Sequence, residues 1–138
     1  MTLRWSEELA VGVEEIDLQH KAFFDESNNF MEAYRLGRWK VAIEKVIRFL
    51  ECYIATHFDA EEKLQKKYAY PDYRAHKAQH RKFRKDFSDL KRIFKKEGAT
   101  PRFVMLIAHI MSDWAINHTG QSDKALGLFL KEKRGKEG

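Results

Sequence analysis

The chain lacks most of what holds small secreted or membrane proteins together. Its 138 residues include one cysteine, Cys52, so no internal disulfide can form, and a reducing compartment is the expectation. With no partner available, Cys52 is read as a packing residue. The segment Met1 to Glu8 carries charge where a signal peptide needs an apolar core. The longest apolar stretch, Phe103 to Met111, is interrupted by His109 and falls far short of the ~20 residues that span a bilayer. Cytoplasmic residence with no membrane partner is therefore expected. Basic residues exceed acidic ones, for a net charge of +5, but the two signs are interspersed along the chain. No nucleic-acid partner is expected from such a pattern. Internal repeats and low-complexity segments are absent, and the length suits one domain over residues 1–138 with its own core.

Prolines number two and glycines seven, and strand-like alternation is missing. Apolar residues recur instead at three- and four-residue steps, which predicts an all-α fold. An irregular arm, residues 1–16, precedes a first helix with the inner stripe Ile16, His20, Phe23, Ser27, Phe30, Tyr34; Gly37 supplies its stop. A second helix, about 39–67, shows Ile43, Val46, Leu50, Tyr53, His57, Glu61, Leu64. The turn Tyr70-Pro71-Asp72 opens a third, with the stripe Tyr73, His76, His80, Phe83, Phe87, Leu90, Phe94. Thr100 and Pro101 suit the N-cap and first position of a fourth, which reads Phe103, Ile107, Ile110, Trp114, His118. Short connections between long amphipathic helices predict an antiparallel up-down-up-down four-helix bundle. A short C-terminal helix, about 122–131, and a frayed tail, 132–138, complete the expectation.

Five of the six histidines and two carboxylates fall on the inner stripes, as His20, His57-x3-Glu61, His76-x3-His80 and His118-x4-Asp123. A four-residue spacing places two side chains on one helix face, about 6 Å apart, within reach of one ion. Imidazole suits iron, zinc and copper, and a carboxylate can bridge two ions. One zinc needs only about four ligands, so seven donors imply a pair of ions. Without metal, this many buried polar groups would each cost roughly 1–3 kcal/mol if left unpaired. The five-residue step from His118 to Asp123 turns the second side chain ~140° away on a straight helix. A break at Gly120, in the left-handed conformation, is expected to bring them together. His109, two and a half turns before His118, is expected to be no ligand, and Glu62, ~100° off the stripe, to be solvated. The basic residues Lys77, Arg81, Arg84, Lys91 and Lys95 read as the solvated outer face of the third helix. Phe23, Phe58 and Trp114 lie three, one and four residues from His20, His57 and His118, so some of them should wall the site and keep solvent out.

These residues resemble the hemerythrins, specifically the single-domain prokaryotic ones. The likeness rests on Trp5, Gly12, Ile16-Asp17-Leu18-Gln19-His20-Lys21, His57-Phe58-x2-Glu61-Glu62, Tyr70-Pro71, the His76/His80 pair and Trp114-x3-His118-x4-Asp123. It covers nearly the whole chain. Myohemerythrin is itself a standard example of the bundle expected here. The resemblance implies a non-haem di-iron centre bridged by Glu61, Asp123 and a solvent-derived oxo or hydroxo group. His76, His80 and His118 would hold one iron; His20 and His57 would hold the other, which keeps an open position for reversible dioxygen binding. Two departures stand out: Ala115 where relatives carry a large aliphatic residue, and Thr119 where isoleucine is common. Both imply a wider or wetter oxygen pocket. Oxygen transport, storage or sensing by a monomer, and not an enzyme, is the leading expectation, with a separate protein partner needed for sensing. The alternative is a di-iron redox enzyme acting on oxygen or peroxide. A ferritin-like oxidase expects two Glu-x-x-His motifs, and this chain has none.

Overall fold

In the computed structural model, residues 3–137 are described, with side chains to residue 135. Gly138, at the end of the expected tail, lies outside them. Every regular element among them is helical: a single turn Glu7–Leu9, then α1 (Glu14–Arg35), α2 (Trp39–Tyr53), α3 (Asp59–Lys67), α4 (Tyr73–Glu97), α5 (Pro101–Asp113) and α6 (Lys124–Glu137). A π-helical turn, Ile54–Phe58, welds α2 to α3, and a longer one, Trp114–Asp123, welds α5 to α6. The result is four rods. The α1 rod packs on α2 and α5, and α4 packs on α3 and α5, closing the bundle.

Local chemistry sets the ends of the rods. Gly37 takes φ 73 after α1, and the Arg38 N–H reaches back to the Ala33 carbonyl at 2.7 Å, which closes the last turn as a Schellman motif. Thr100 Oγ1 accepts from the Phe103 N–H at 3.1 Å, with Pro101 at the first helical position. The N-terminal arm is pinned: Asn28 pairs with both backbone groups of Leu3, at 2.8 and 2.7 Å, and Asp17 accepts from the Val11 N–H at 2.8 Å. Helix begins at Glu14, earlier than the arm's expected end at residue 16.

Three expectations need correction. The fourth rod does not break at Gly120, which has no positive φ. The π-helical segment around it bonds each N–H one residue further back than an α-helix does, so a five-residue step completes about one turn. Helix then runs to Glu137, past the expected stop near Lys131. Cys52, expected to pack, is exposed, because it sits ~100° round the helix from buried Tyr53. Tyr34, placed on the inner stripe of α1, is 38 % exposed, while Phe24, outside that stripe, is buried.

Two apolar clusters fill the bundle. The larger includes Phe23, Leu50, Tyr53, Phe58, Phe83, Phe87, Met111 and Trp114. The smaller gathers Tyr70, Leu126 and Leu130, with Val13, Leu64 and Phe129 against them. Along every rod the candidate ligands fall between residues of one cluster and residues of the other. His20 lies between Val13 and Phe23, His57 and Glu61 between Tyr53 and Leu64, His76 and His80 between Tyr70 and Phe83, and His118 and Asp123 between Trp114 and Leu126. One buried polar layer is thus sealed above and below by apolar packing.

Candidate metal centre

The seven side chains singled out by spacing converge in this layer, and all are buried. Their donor atoms form two groups, each within 4.8 Å: Glu61, His76, His80 and His118 in one, His20, His57, Glu61 and Asp123 in the other. Each carboxylate reaches both sides with a different oxygen. Glu61 Oε1 lies 2.7 Å from His76 Nε2 and 3.0 Å from His80 Nε2, while its Oε2 lies 3.3 Å from His57 Nε2 and 3.5 Å from His20 Nε2. Asp123 Oδ1 is 2.9 Å from His76 Nε2 and 3.1 Å from His118 Nε2, and its Oδ2 is 3.0 Å from His20 Nε2. His109 is exposed and takes no part.

Only the contacts of His76 and His80 Nε2 with Glu61 Oε1 have hydrogen-bond geometry; the other carboxylate contacts do not. Glu61 Oε2, both Asp123 oxygens and His118 Nε2 are buried without a hydrogen-bond partner, because these contacts meet the distance but not the angles. His20 and His57 turn Nε2 to Nε2 at 3.1 Å, a pairing two neutral imidazoles can make only if one donates. Lone pairs aimed past one another toward shared points are what cations satisfy, and imidazole with bridging carboxylate is the donor chemistry of non-haem iron. The residues fit a pair of ions.

The far side of each ring is also held. His57 Nδ1 donates to Gln19 Oε1 at 2.6 Å, His118 Nδ1 to Gln79 Oε1 at 2.5 Å, and His80 Nδ1 to Glu62 Oε2 at 2.9 Å. Each bond places the ring proton on Nδ1 and leaves the Nε2 lone pair for a metal. Glu62 is therefore half-buried and engaged, where solvation was expected. Sequence spacing missed all three partners because each reaches a histidine on a neighbouring rod. One signal was present: the dipeptides Gln19-His20 and Gln79-His80 recur, each glutamine supporting a ring other than the one beside it.

Electrostatics follow from this crowding. Burial alone would push His20 and His76 down, yet Asp123 and Glu61 lift both to about 10; His118 is raised by the same pair. At His57 burial wins and the ring is lowered. Burial would raise Glu61, but His57, His118 and His20 hold it well below the usual carboxylate range. Asp123 is pushed up by burial and Glu61, and His118 and His20 bring it down further than that.

The expected pocket residues Phe23, Phe58, Trp114, Ala115 and Thr119 are all buried. Phe58 stacks on His80, centroids 4.0 Å apart and 3° from parallel, and Trp114 stacks on His118 at 3.7 Å and 10°. Both thus cover the three-histidine side. On the two-histidine side Tyr53, which spacing alone placed only on a core stripe, lies 4.5 Å from His57 and nearly parallel to it, with Phe23 beyond at 4.9 Å. From outside, a cleft of about 440 Å³ between α4 and α5 reaches His118 past Gln79 and Trp114.

Residues 11–127 match the family model described as the hemerythrin HHE cation binding domain. The chain is 34 % identical over 119 residues to the bacteriohemerythrin of Methylococcus capsulatus, covering 83 % of this chain and 85 % of that protein. It is 31 % identical over 121 residues to the bacteriohemerythrin of Pseudomonas aeruginosa (88 % and 76 % covered). With the bacteriohemerythrin of Stenotrophomonas maltophilia the identity is 28 % over 129 residues (94 % and 82 %). Matched over most of its length and carrying a buried donor set that fits two cations, the chain belongs to the hemerythrin family, whose cofactor is a non-haem di-iron centre and whose ligand is dioxygen.

Proposed function

We propose that this chain, acting as one domain, binds dioxygen reversibly, for carriage, storage or sensing, at a di-iron centre. His76, His80 and His118 would hold one iron, His20 and His57 the other, with Glu61 and Asp123 bridging. The observation that carries this is the unequal donor count: the carboxylates serve both sides, but three imidazoles stand on one and two on the other. The side with fewer histidines is the place for an exogenous ligand. When bound, the irons supply the electrons that hold dioxygen reversibly.

The protein's own part is positional. Gln19, Gln79 and Glu62 orient three of the imidazoles, and the two apolar clusters keep bulk water from the layer. The reading of non-enzymatic binding rests on that enclosure and on the bacteriohemerythrin relatives. The test is the optical spectrum of the iron-loaded, reduced protein, exposed to air and then degassed. A charge-transfer band that appears and disappears over repeated cycles is expected. Irreversible oxidation at the first exposure would overturn reversible binding in favour of turnover of oxygen or peroxide.

A further inference from the structure

Beside the two-histidine side lies a polar group that neither metal coordination nor packing uses. Tyr53 is one helical turn before His57, on the same face, with its ring stacked on that imidazole. It is 4 % exposed, and its hydroxyl is buried without a hydrogen-bond partner. Its other ring neighbours, Phe23 at 4.9 Å, Phe58 at 5.7 Å and Phe49 at 5.9 Å, offer no acceptor. The Trp114 indole N–H is near enough to interact with the hydroxyl, yet neither atom has a partner of full hydrogen-bond geometry. An indole N–H only donates, whereas a phenol both accepts and donates. The Tyr53 hydroxyl can therefore receive from Trp114 only by turning its own proton elsewhere, and Asp123 and Glu61 lie within electrostatic range of it. Two unpartnered buried groups at one place each cost stability, and a ligand bearing an acceptor atom would relieve that cost.

We infer that Tyr53 is a ligand-contacting residue, whose hydroxyl donates a hydrogen bond to the small molecule bound on the two-histidine side. This rests on the reading above of that side as the ligand position. It makes the pocket selective for ligands whose outer atom carries negative charge, because a hydrogen bond to such an atom is worth more than one to a neutral acceptor.

The test uses azide as the probe, titrated into iron-loaded, oxidised protein, with Tyr53→Phe and Tyr73→Phe compared with wild type. Tyr53→Phe should weaken azide binding about 10- to 100-fold and shift the antisymmetric stretch of the bound azide, with iron content unchanged. Removing an unpartnered buried hydroxyl should leave the melting temperature of the metal-free protein unchanged or raised. Tyr73→Phe, which removes a second unpartnered phenol hydroxyl on α4, should leave azide affinity unchanged. Azide affinity within twofold of wild type in Tyr53→Phe overturns the inference. So does a lower melting temperature or lost iron, which would make the hydroxyl structural, and so does an effect at Tyr73 in place of Tyr53. A wild type that binds azide but fails the aeration cycles overturns reversible oxygen binding alone; one that binds no azide overturns both.

Discussion

Individual side chains in this protein are held from two directions, and the difference between an engaged histidine and an idle one is one of helix phase. His80 has Nε2 at Glu61 and Nδ1 at Glu62; His109 faces solvent. His80→Ala should therefore lose or weaken the iron on the three-histidine side, while His109→Ala retains both irons, as read by metal analysis after loading. If His109→Ala strips the centre and His80→Ala does not, the assignment of roles is wrong. Glu62 gives a finer test, since it touches no candidate donor atom and reaches the centre through the His80 ring, its other charged neighbour being Arg84 at 3.8 Å. Glu62→Ala should lower metal affinity about 10- to 100-fold with the fold intact, the usual cost of losing an outer partner of a metal-bound imidazole. Affinity equal to wild type in a competition with a chelator would show that the 2.9 Å contact does nothing for the ring.

At the scale of elements, stripes and donors were legible in the sequence, while joints were not. Three- and four-residue steps placed His20, His57, Glu61, His76, His80 and His118 on inner faces because an α-helix repeats at 3.6 residues, and all are buried. The same rule failed at the five-residue step to Asp123, where it demanded a break that the chain avoids by widening its helix from Trp114 to Asp123. No propensity rule separates those options, since a glycine permits either. The orienting residues Gln19, Gln79 and Glu62 were illegible for another reason: they act between rods, and periodicity reports only on one. Glycine substitutions test the corrected geometry. A Cβ at Gly120 would meet the Ala115 carbonyl oxygen at an ordinary 3.4 Å. Gly120→Ala should keep both irons and stabilise the chain by about 0.5–1 kcal/mol, the usual gain at a helical glycine. A left-handed break would give a loss there instead. At Gly127 a Cβ would lie 2.8 Å from Val11 Cα, where the N-terminal arm crosses α6. Because backbone must shift, Gly127→Ala should cost about 1–3 kcal/mol in urea unfolding.

For the whole molecule, the buried layer ties folding, protonation and metal loading together. In the metal-free chain His20 and His76 hold protons up to about pH 10, against 6.5 for an ordinary imidazole. Between those values the folded state binds more protons than the unfolded one. The stability these rings contribute is therefore complete below pH 6.5 and drains away as pH rises to 10. Glu61 and Asp123, held below their ordinary 4.5 and 3.8, contribute stability that is present above those values and lost as pH falls through the lowered ones. His57, lowered by burial, opposes folding as pH falls below 6.5. Metal-free protein should accordingly be most stable between about pH 4.5 and 6.5 and lose melting temperature steadily from 6.5 to 10. Iron should reverse the upper limb, because it would bind the same Nε2 atoms without their protons. Iron-loaded protein should hold its melting temperature across pH 6.5 to 10, and loading at pH 7 should expel roughly two protons per chain, fewer as pH approaches 10. Calorimetric titration of ferrous iron under argon, in buffers of different ionisation enthalpy, measures that release directly. Equal release at pH 7 and 10, or parallel pH profiles for the loaded and metal-free forms, would mean that the metal and the protons do not compete for these imidazoles.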